Sequence, residues 1–498
     1  MQKSSSTSAV LSTSQWIVPL ILLVSLLLRW ILILRGGQYY FSDEGRYETS
    51  WAFVEAILDG NLTDGFPQLF IAPEHLGFKI IGIIPAFAEQ LTRESLVIPA
   101  LFFSLFSTFN VFLVYKIAKR AGAGQPYFAL ILAASSMSLL YYARHLVPYD
   151  AALTFGLFAI YTAISEETNR KTSLLCGALS FACFITYNGY WSLAGLAILL
   201  HVLRSNESFY DIIRKSVIVT MGFVLPAILL FLLAAWSGIN LLTEYSIFAS
   251  TVSQGSYAEG WSLPFEYFWH TEHWILILFV LLSGYAAFSH KGKNRAVNIW
   301  TGALMLLYLS LLIPSVFLHS FVVYGRLARQ LTPFLILLAS IGLEGLKRDF
   351  PSGQKFVHVL LVIVGIQALW NYQASYALSY PREFGQEAQA LRPEFAFSEK
   401  RLAFGAPPLC QNNGYVIENV KHFATPPEAN PPVQGQLLIS APHPDNFLPY
   451  QYEGYTYEQR RYLRELRPEM RFYRADANFM SDSNPTWKTM KNCRVGEN

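Results

Sequence analysis

What this chain can fold into is set first by its long apolar runs. Trp16 to Leu34 holds few polar side chains, and a helix needs roughly 17–25 such residues to cross a bilayer. Further runs follow at 95–115, 126–143, 151–165, 172–187, 189–203, 215–236, 273–289, 297–318, 327–346 and 355–377. Backbone inside lipid must satisfy its own hydrogen bonds, so each run is expected as a helix. The expected fold class is an all-α polytopic membrane domain over residues 1–377, with about 11 transmembrane helices. Composition agrees: 53% of residues are hydrophobic, 15% aromatic and only 14% charged, a membrane profile. A net charge of +3 leaves no footprint for nucleic acid. No small-residue cleavage site follows the first run, so it reads as a retained span rather than a signal peptide.

The run 77–91 is different. It is short, carries Lys79 and Pro85 and has acidic flanks, which predicts a helix lying in the interface. The positive-inside rule tests this reading. With 77–91 outside and the N-terminus cytoplasmic, the basic clusters around Lys116–Arg120, Arg170–Lys171, Arg204–Lys215, Lys291–Arg295 and Lys347–Lys355 all fall on the inner side. If 77–91 crossed the membrane, every later loop would invert. Residues 36–94 are then the first extracytoplasmic loop, and 378–498 lie outside as well. The expected setting is a plasma membrane such as the bacterial inner membrane.

The tail 378–498 changes character, becoming Pro-rich and polar. Strand-like pieces at 401–406, 415–420, 436–441 and 471–475 and a helix-like piece at 457–467 predict a small α/β extracytoplasmic domain. Cys176 and Cys183 sit in an apolar run and are expected to pack as small hydrophobes. Cys410 and Cys493 lie in the tail, where an oxidising compartment would allow a disulfide.

Under this topology the chemistry-bearing side chains collect on the outer face. The stretch 40-YFSDEGRYETSW-51 holds Asp43, Glu44 and Tyr47, and the same loop adds Glu74 and His75. The turn 142-YARHLVPYD-150 adds Arg144 and Asp150, and 326-RLARQLTPFLILLA-339 adds Arg326 and Arg329. Arg29 lies within the first span, where a charge is costly and calls for a partner or a function. The acidic doublet also has a structural reading, since Ser42 followed by two acids suits a helix N-terminus. Arg144 and Asp150 read equally as an interfacial ion pair, and Arg326 and Arg329 as headgroup-seeking side chains. The run 266-EYFWHTEHW-274 contains His270 and His273 in a His-x-Glu-His pattern, a weak signal for a metal.

The doublet after the first span, the interfacial segment, 144-RHLVPYD-150 and the basic-then-Pro start at 326–333 together resemble the GT-C superfamily of membrane glycosyltransferases. The nearest resemblance is to the branch of protein O-mannosyltransferases and lipid A aminoarabinose transferases. Where many relatives read Pro-Pro-Leu this chain reads 72-APEHLG-77, and a mid-chain lysine of many relatives is missing near Thr186-Tyr187-Asn188.

The resemblance implies transfer of a sugar from a polyprenyl-phosphate donor to a lipid, polysaccharide or protein acceptor. Such a reaction needs a base for the acceptor hydroxyl and positive charge for the departing phosphate. Asp43 is expected as the base, with Glu44 assisting or positioning the acceptor. Arg326 and Arg329, at i and i+3 on one helical face, are expected to hold the phosphate. Asp150 is expected to position Arg144, the acceptor or a divalent cation; Tyr47, Glu74 and His75 are expected to line the substrate site. No cofactor is implied beyond a possible divalent cation, for which Asp43, Asp150, His270 and His273 are candidates. A multi-span transporter or flippase of a lipid-linked substrate is the alternative class, and a scaffold without chemistry the third.

Overall fold

The structure is a computed structural model that describes residues 14–34, 46–70, 73–91, 97–165, 169–203, 208–253, 263–289, 295–318 and 325–378, together with three short strands in the tail. Within the described residues each apolar run named above is mainly helical, with a break at Ser136 in the run 126–143. The elements are α1 (Ser14–Leu34), α2 (Tyr47–Leu58), α3 (Leu62–Phe70), α4 (Leu76–Leu91), α5 (Val97–Arg120), α6 (Pro126–Ser135), α7 (Met137–Leu140), α8 (Tyr149–Ala163) and α9 (Arg170–Thr186). They continue as α10 (Trp191–Val202), α11 (Phe209–Trp236), α12 (Leu241–Ser253), α13 (Leu263–Glu272), α14 (Trp274–Ser289), α15 (Arg295–Leu312), α16 (Gly325–Ala328), α17 (Thr332–Asp349) and α18 (Gly353–Leu378).

Among the described residues, six helical stretches are long and apolar enough to cross a membrane alone, and seven if the bent pair α6–α7 counts as one span. The others expected to span are shorter: α8, α9, α10 and α14 run 15, 17, 12 and 16 residues. Helix α4 is also short, at 16 residues, and is not among the candidate spans.

Helix α17 is the hub. The span Arg326–Asp349 is 94% buried in its apolar window, against 17% for Phe209–Trp236 and for Gly353–Tyr372. It packs on α6, α14, α15 and α18, while α5 packs on α1, α6 and α8, and α9 on α8, α10 and α11. The outer helices leave large apolar side chains uncovered, such as Leu225, Leu229 and Leu232 on α11 and Ile363, Ile366 and Trp370 on α18. In lipid these carry no hydrophobic penalty, because acyl chains solvate them as well as protein does. Small residues supply the close approaches: a Cβ on Gly177 would run into the Val219 carbonyl, and one on Gly222 into the Leu174 carbonyl. That reciprocal contact lets α9 and α11 touch backbone to backbone.

The bundle has two chemically distinct ends. At one, Arg120 closing α5 donates to the Tyr161 carbonyl near the end of α8 at 2.7 Å. Glu344 near the end of α17 accepts the Gly124 N–H at 3.0 Å. A cavity of about 360 Å³ there is lined by Arg120, Ala163, Leu203 and Arg295, which brings the basic end of α5 and the start of α15 together. The starts of α8 and α17, with Asp150 and Arg329, lie at the other.

In the tail, β1 (Tyr415–Glu418) pairs parallel with β2 (Leu437–Ser440), and β2 pairs antiparallel with β3 (Arg471–Arg474). These strands fall inside three of the stretches read as strand-like. The pieces 401–406 and 457–467, and Cys410 and Cys493, lie outside the described residues.

Candidate active site

A buried ion cluster sits where α1, α5, α7, α8 and the turn before α17 meet. Arg29 donates from Nε to Ser107 Oγ at 2.8 Å, from Nη1 to Ser25 Oγ at 2.5 Å, and from Nη2 to the Leu139 carbonyl at 3.3 Å. Arg329 donates from Nε to the Ser138 carbonyl at 2.6 Å and pairs through Nη2 with Asp150. Asn110 also donates to Asp150, at 3.3 Å on Oδ1 and 3.0 Å on its carbonyl, and Thr154 closes the set on Asn110 Oδ1 at 2.8 Å. Arg29 and Arg329 are 0% exposed. A buried charge needs a countercharge and hydrogen bonds; Asp150 supplies the charge, by direct contact to Arg329 and through its field to Arg29.

This geometry corrects two expectations. Arg329 does not share a ligand with Arg326: although i, i+3 neighbours, its guanidinium points inward and is spent on Asp150. Asp150, in turn, takes Arg329 from 179 residues away rather than the nearby Arg144. A divalent cation does not suit Asp150 either, since its carboxylate already faces one guanidinium and lies in the field of a second, Arg29.

A seam of aromatic rings links the remaining candidates. His75 stacks on Tyr187 at 5.1 Å, Tyr187 meets Tyr149 edge-on at 4.9 Å, and Tyr149 meets Tyr142 edge-on at 4.9 Å. Tyr142 meets Tyr141 at 5.1 Å, and the Arg144 guanidinium lies 5.5 Å from the Tyr141 ring. Arg326 joins through Tyr149, donating from Nη1 to its hydroxyl at 3.0 Å, and the Tyr190 hydroxyl donates to the Arg326 carbonyl at 3.1 Å. Arg144, His75 and Arg326 thus belong to one surface, although they come from three distant segments.

Two features of the seam stand out, an orphan nitrogen and a strained backbone. Arg144 is 1% exposed and donates from Nε to His145 Nε2 at 3.0 Å, while its buried Nη1 has no hydrogen-bond partner among the described residues. His75 holds a positive φ of 60°, a conformation non-glycine residues adopt mainly where surroundings impose it. The cause is local: the turn must bring α4 against the end of α9, where Gly77 leaves no room for a Cβ beside the Thr186 nitrogen.

The first loop forms an elbow of α2, α3 and α4 beside this surface. Tyr47 is fully buried there, and its hydroxyl donates to Glu89 Oε2 at 2.6 Å while its ring meets Phe103 edge-on. It therefore ties α2 to α4 and α5 rather than lining a substrate site. Glu74 is half-buried in the turn before α4, and its charge reaches Lys79 and Tyr245. Lys79 is 2% exposed. Burial lowers its pKa to about 8, with Glu74 opposing the shift and Arg46 adding to it. Asp43 and Glu44 lie outside the described residues, as does the side chain of His270. His273 is exposed with φ 49°, and no group of three His, Cys, Asp or Glu side chains converges to hold a metal among the described residues.

Several site residues carry little signal in the sequence. Ser107 and Asn110 carry more: with Ser104 they form a polar stripe at i, i+3, i+6 on a largely apolar helix. Tyr142, Tyr149 and Tyr187 are hidden among 28 tyrosines.

No protein-family model matches this chain, and no curated protein matches its sequence. Two solved structures of the aminoarabinose transferase ArnT from Cupriavidus metallidurans do match, one in the apo state and one bound to undecaprenyl phosphate. Identity is 12%, TM-scores are 0.56 and 0.57, and each alignment covers 86% of this chain and 94% of that one. The fold is GT-C-like. An archaeal oligosaccharyltransferase, AglB from Archaeoglobus fulgidus, matches at 10% identity over 74% of this chain and 56% of that one, with a TM-score of 0.47. The likeness to ArnT is thus one of overall fold.

Proposed function

We propose that this chain is an inverting GT-C glycosyltransferase that moves a sugar from a polyprenyl-phosphate donor to a cell-envelope acceptor on the extracytoplasmic face. About 11 helical segments embed it, with the N-terminus cytoplasmic and the tail 378–498 an extracytoplasmic domain. The observation that carries the reading is Arg144, a buried cation with an unpartnered nitrogen among the described residues, on the same aromatic seam as Arg326. An anionic phosphate is the ligand whose oxygens would complete it. A GT-C-like fold shared with a protein crystallised with undecaprenyl phosphate supports that choice of phosphate.

In the reaction, Asp43 removes the proton from the acceptor hydroxyl, with Glu44 positioning the acceptor, as oxygen attacks the anomeric carbon. The bond from that carbon to the phosphate oxygen breaks, and the electron pair leaves with the prenyl phosphate. Charge on the phosphate grows from one to two, so Arg144 and Arg326 hold the leaving group more tightly as the bond breaks. Glu74 and His75 face the sugar from the elbow. Asp150 being spent on Arg329, the remaining candidates for a divalent cation are Asp43, His270 and His273.

Transfer of labelled sugar from a polyprenyl-phosphate donor is the test. Asp43→Asn is expected to lower turnover by about 10²–10⁴-fold while donor binding persists. Near-normal turnover would remove Asp43 from the role of base. The alternative of a transporter or flippase draws on the helix breaks at Ser136 and at Tyr187–Asn188, since discontinuous helices mark many transporters. Substrate movement without glycosyl transfer would favour it.

A further inference from the structure

The His-x-Glu-His pattern that first suggested a metal contains a residue with another task. Glu272, the last residue of α13, is 1% exposed. Its Oε1 accepts the Ser136 hydroxyl at 2.6 Å and the Ser138 N–H at 2.9 Å, and its Oε2 accepts the Met137 N–H at 3.0 Å. These donors are the start of α7, where the chain bends by 70° between Pro126–Ser135 and Met137–Arg144. A broken helix leaves N–H groups without intrahelical acceptors, and in an apolar bundle they must find partners. Ser136 does not cap α7 with its own side chain; Glu272, from 134 to 136 residues away, does so instead. Burial raises the carboxyl pKa while the four donor contacts from Ser136, Met137 and Ser138 oppose the rise.

What hangs from this node is the donor site. From Ser138 the helical run continues to Arg144, roughly 10 Å further along. On the way the Ser138 and Leu139 carbonyls receive Arg329 and Arg29. Ser138 Oγ also meets Thr332 Oγ1 at 3.0 Å, at the start of α17. On its other side α13 packs against α16, which carries Arg326. One carboxylate thus joins the segment bearing Arg144 to the helix that braces Arg326.

We propose that Glu272 is a positioning residue that sets the spacing of Arg144 and Arg326 around the donor phosphate, an inference that rests on the glycosyltransferase reading above. The carboxylate does not touch the substrate. It accepts from two adjacent backbone N–H groups and a hydroxyl at once, which an amide cannot do, since its NH₂ would face a donor. Glu272→Gln therefore keeps the size of the side chain and loosens the break.

The test compares binding of undecaprenyl phosphate with binding of undecaprenol, which lacks the phosphate. Glu272→Gln is expected to weaken undecaprenyl phosphate by about tenfold and to leave undecaprenol within about twofold, with Glu272→Asp recovering part of the loss. Equal weakening of both lipids would show a general packing role and overturn the proposal, as would unchanged phosphate binding. Should Glu272→Gln fail to fold, Ser136→Ala removes one donor and is expected to weaken the phosphate lipid selectively by about threefold; wild-type binding there overturns the proposal. Failure of the wild-type protein to prefer the phosphate over the alcohol would instead remove the glycosyltransferase reading itself.

Discussion

Arg29 and Arg329 lie a short way from Arg144 and Arg326, yet the two pairs are held in opposite ways. The first pair is sealed around a carboxylate: Arg329 pairs with Asp150, Arg29 lies in its field and on serine oxygens, and neither guanidinium is exposed. In the second pair, Arg326 is half-buried with one nitrogen on a tyrosine hydroxyl, and Arg144 keeps a buried nitrogen without an acceptor among the described residues. Desolvating a guanidinium is as costly for the fully buried Arg144 as for Arg29 and Arg329. Where a carboxylate of the protein offsets the cost the arginine serves the fold, and where none does a ligand is the natural compensation. The difference cannot be seen in the spacing of Arg326 and Arg329, which suggests equivalence.

The largest expected effect falls on the sealed pair. Removing one partner of a buried ion pair costs about 3–5 kcal/mol, and the two removals should be unequal. Asp150→Asn leaves Arg29 and Arg329 close together with no carboxylate between them. Arg329→Met leaves Asp150 the field of Arg29 and the Asn110 amide. Thermal unfolding in detergent should therefore show the larger loss for Asp150→Asn. Equal losses would break the assignment of Arg29 to the same cluster.

The open pair should behave in reverse, with small effects on unfolding and larger ones on the donor. Arg144→Met and Arg326→Met are each expected to weaken binding of the phosphate lipid by about 10–100-fold, the usual worth of a hydrogen bond to a charged group. Arg144→Met should also leave the unfolding temperature unchanged or raised, because it removes a buried charge that the fold does not complete. A sharp loss of stability in Arg144→Met would place Arg144 with the sealed pair and erase the contrast.

How much of this was legible in the sequence depends on how far apart the partners lie. The apolar runs read correctly as helices because lipid imposes helicity locally, and α4 begins one residue from its expected start. The break in 126–143 was invisible, because the carboxylate that permits it arrives from Glu272, on the far side of the chain. Asp150 was expected beside Arg144, six residues back, whereas the start of α8 turns it toward Arg329. Tyr47 read as a substrate contact because tyrosine near a carboxylate looks alike in a loop and in a core; only Glu89, 42 residues on, shows which it is. Local physics gave the elements, and pairings across the bundle decided which polar residues were spent on joining them.

The smallest expected effect isolates what orients Arg326. Tyr149→Phe removes the hydroxyl that accepts from Arg326 Nη1 but keeps the ring, which still lies 5.7 Å from the guanidinium and edge-on to Tyr142 and Tyr187. One such bond is worth about 1 kcal/mol net, so the affinity for undecaprenyl phosphate should fall only about fivefold, with no change in unfolding temperature. The size of the loss is diagnostic. If Tyr149→Phe costs as much as Arg326→Met, the hydroxyl itself touches the phosphate and the arginine acts through it. If it costs nothing, the ring alone holds Arg326, and the open pair is set by aromatic packing rather than by hydrogen bonding.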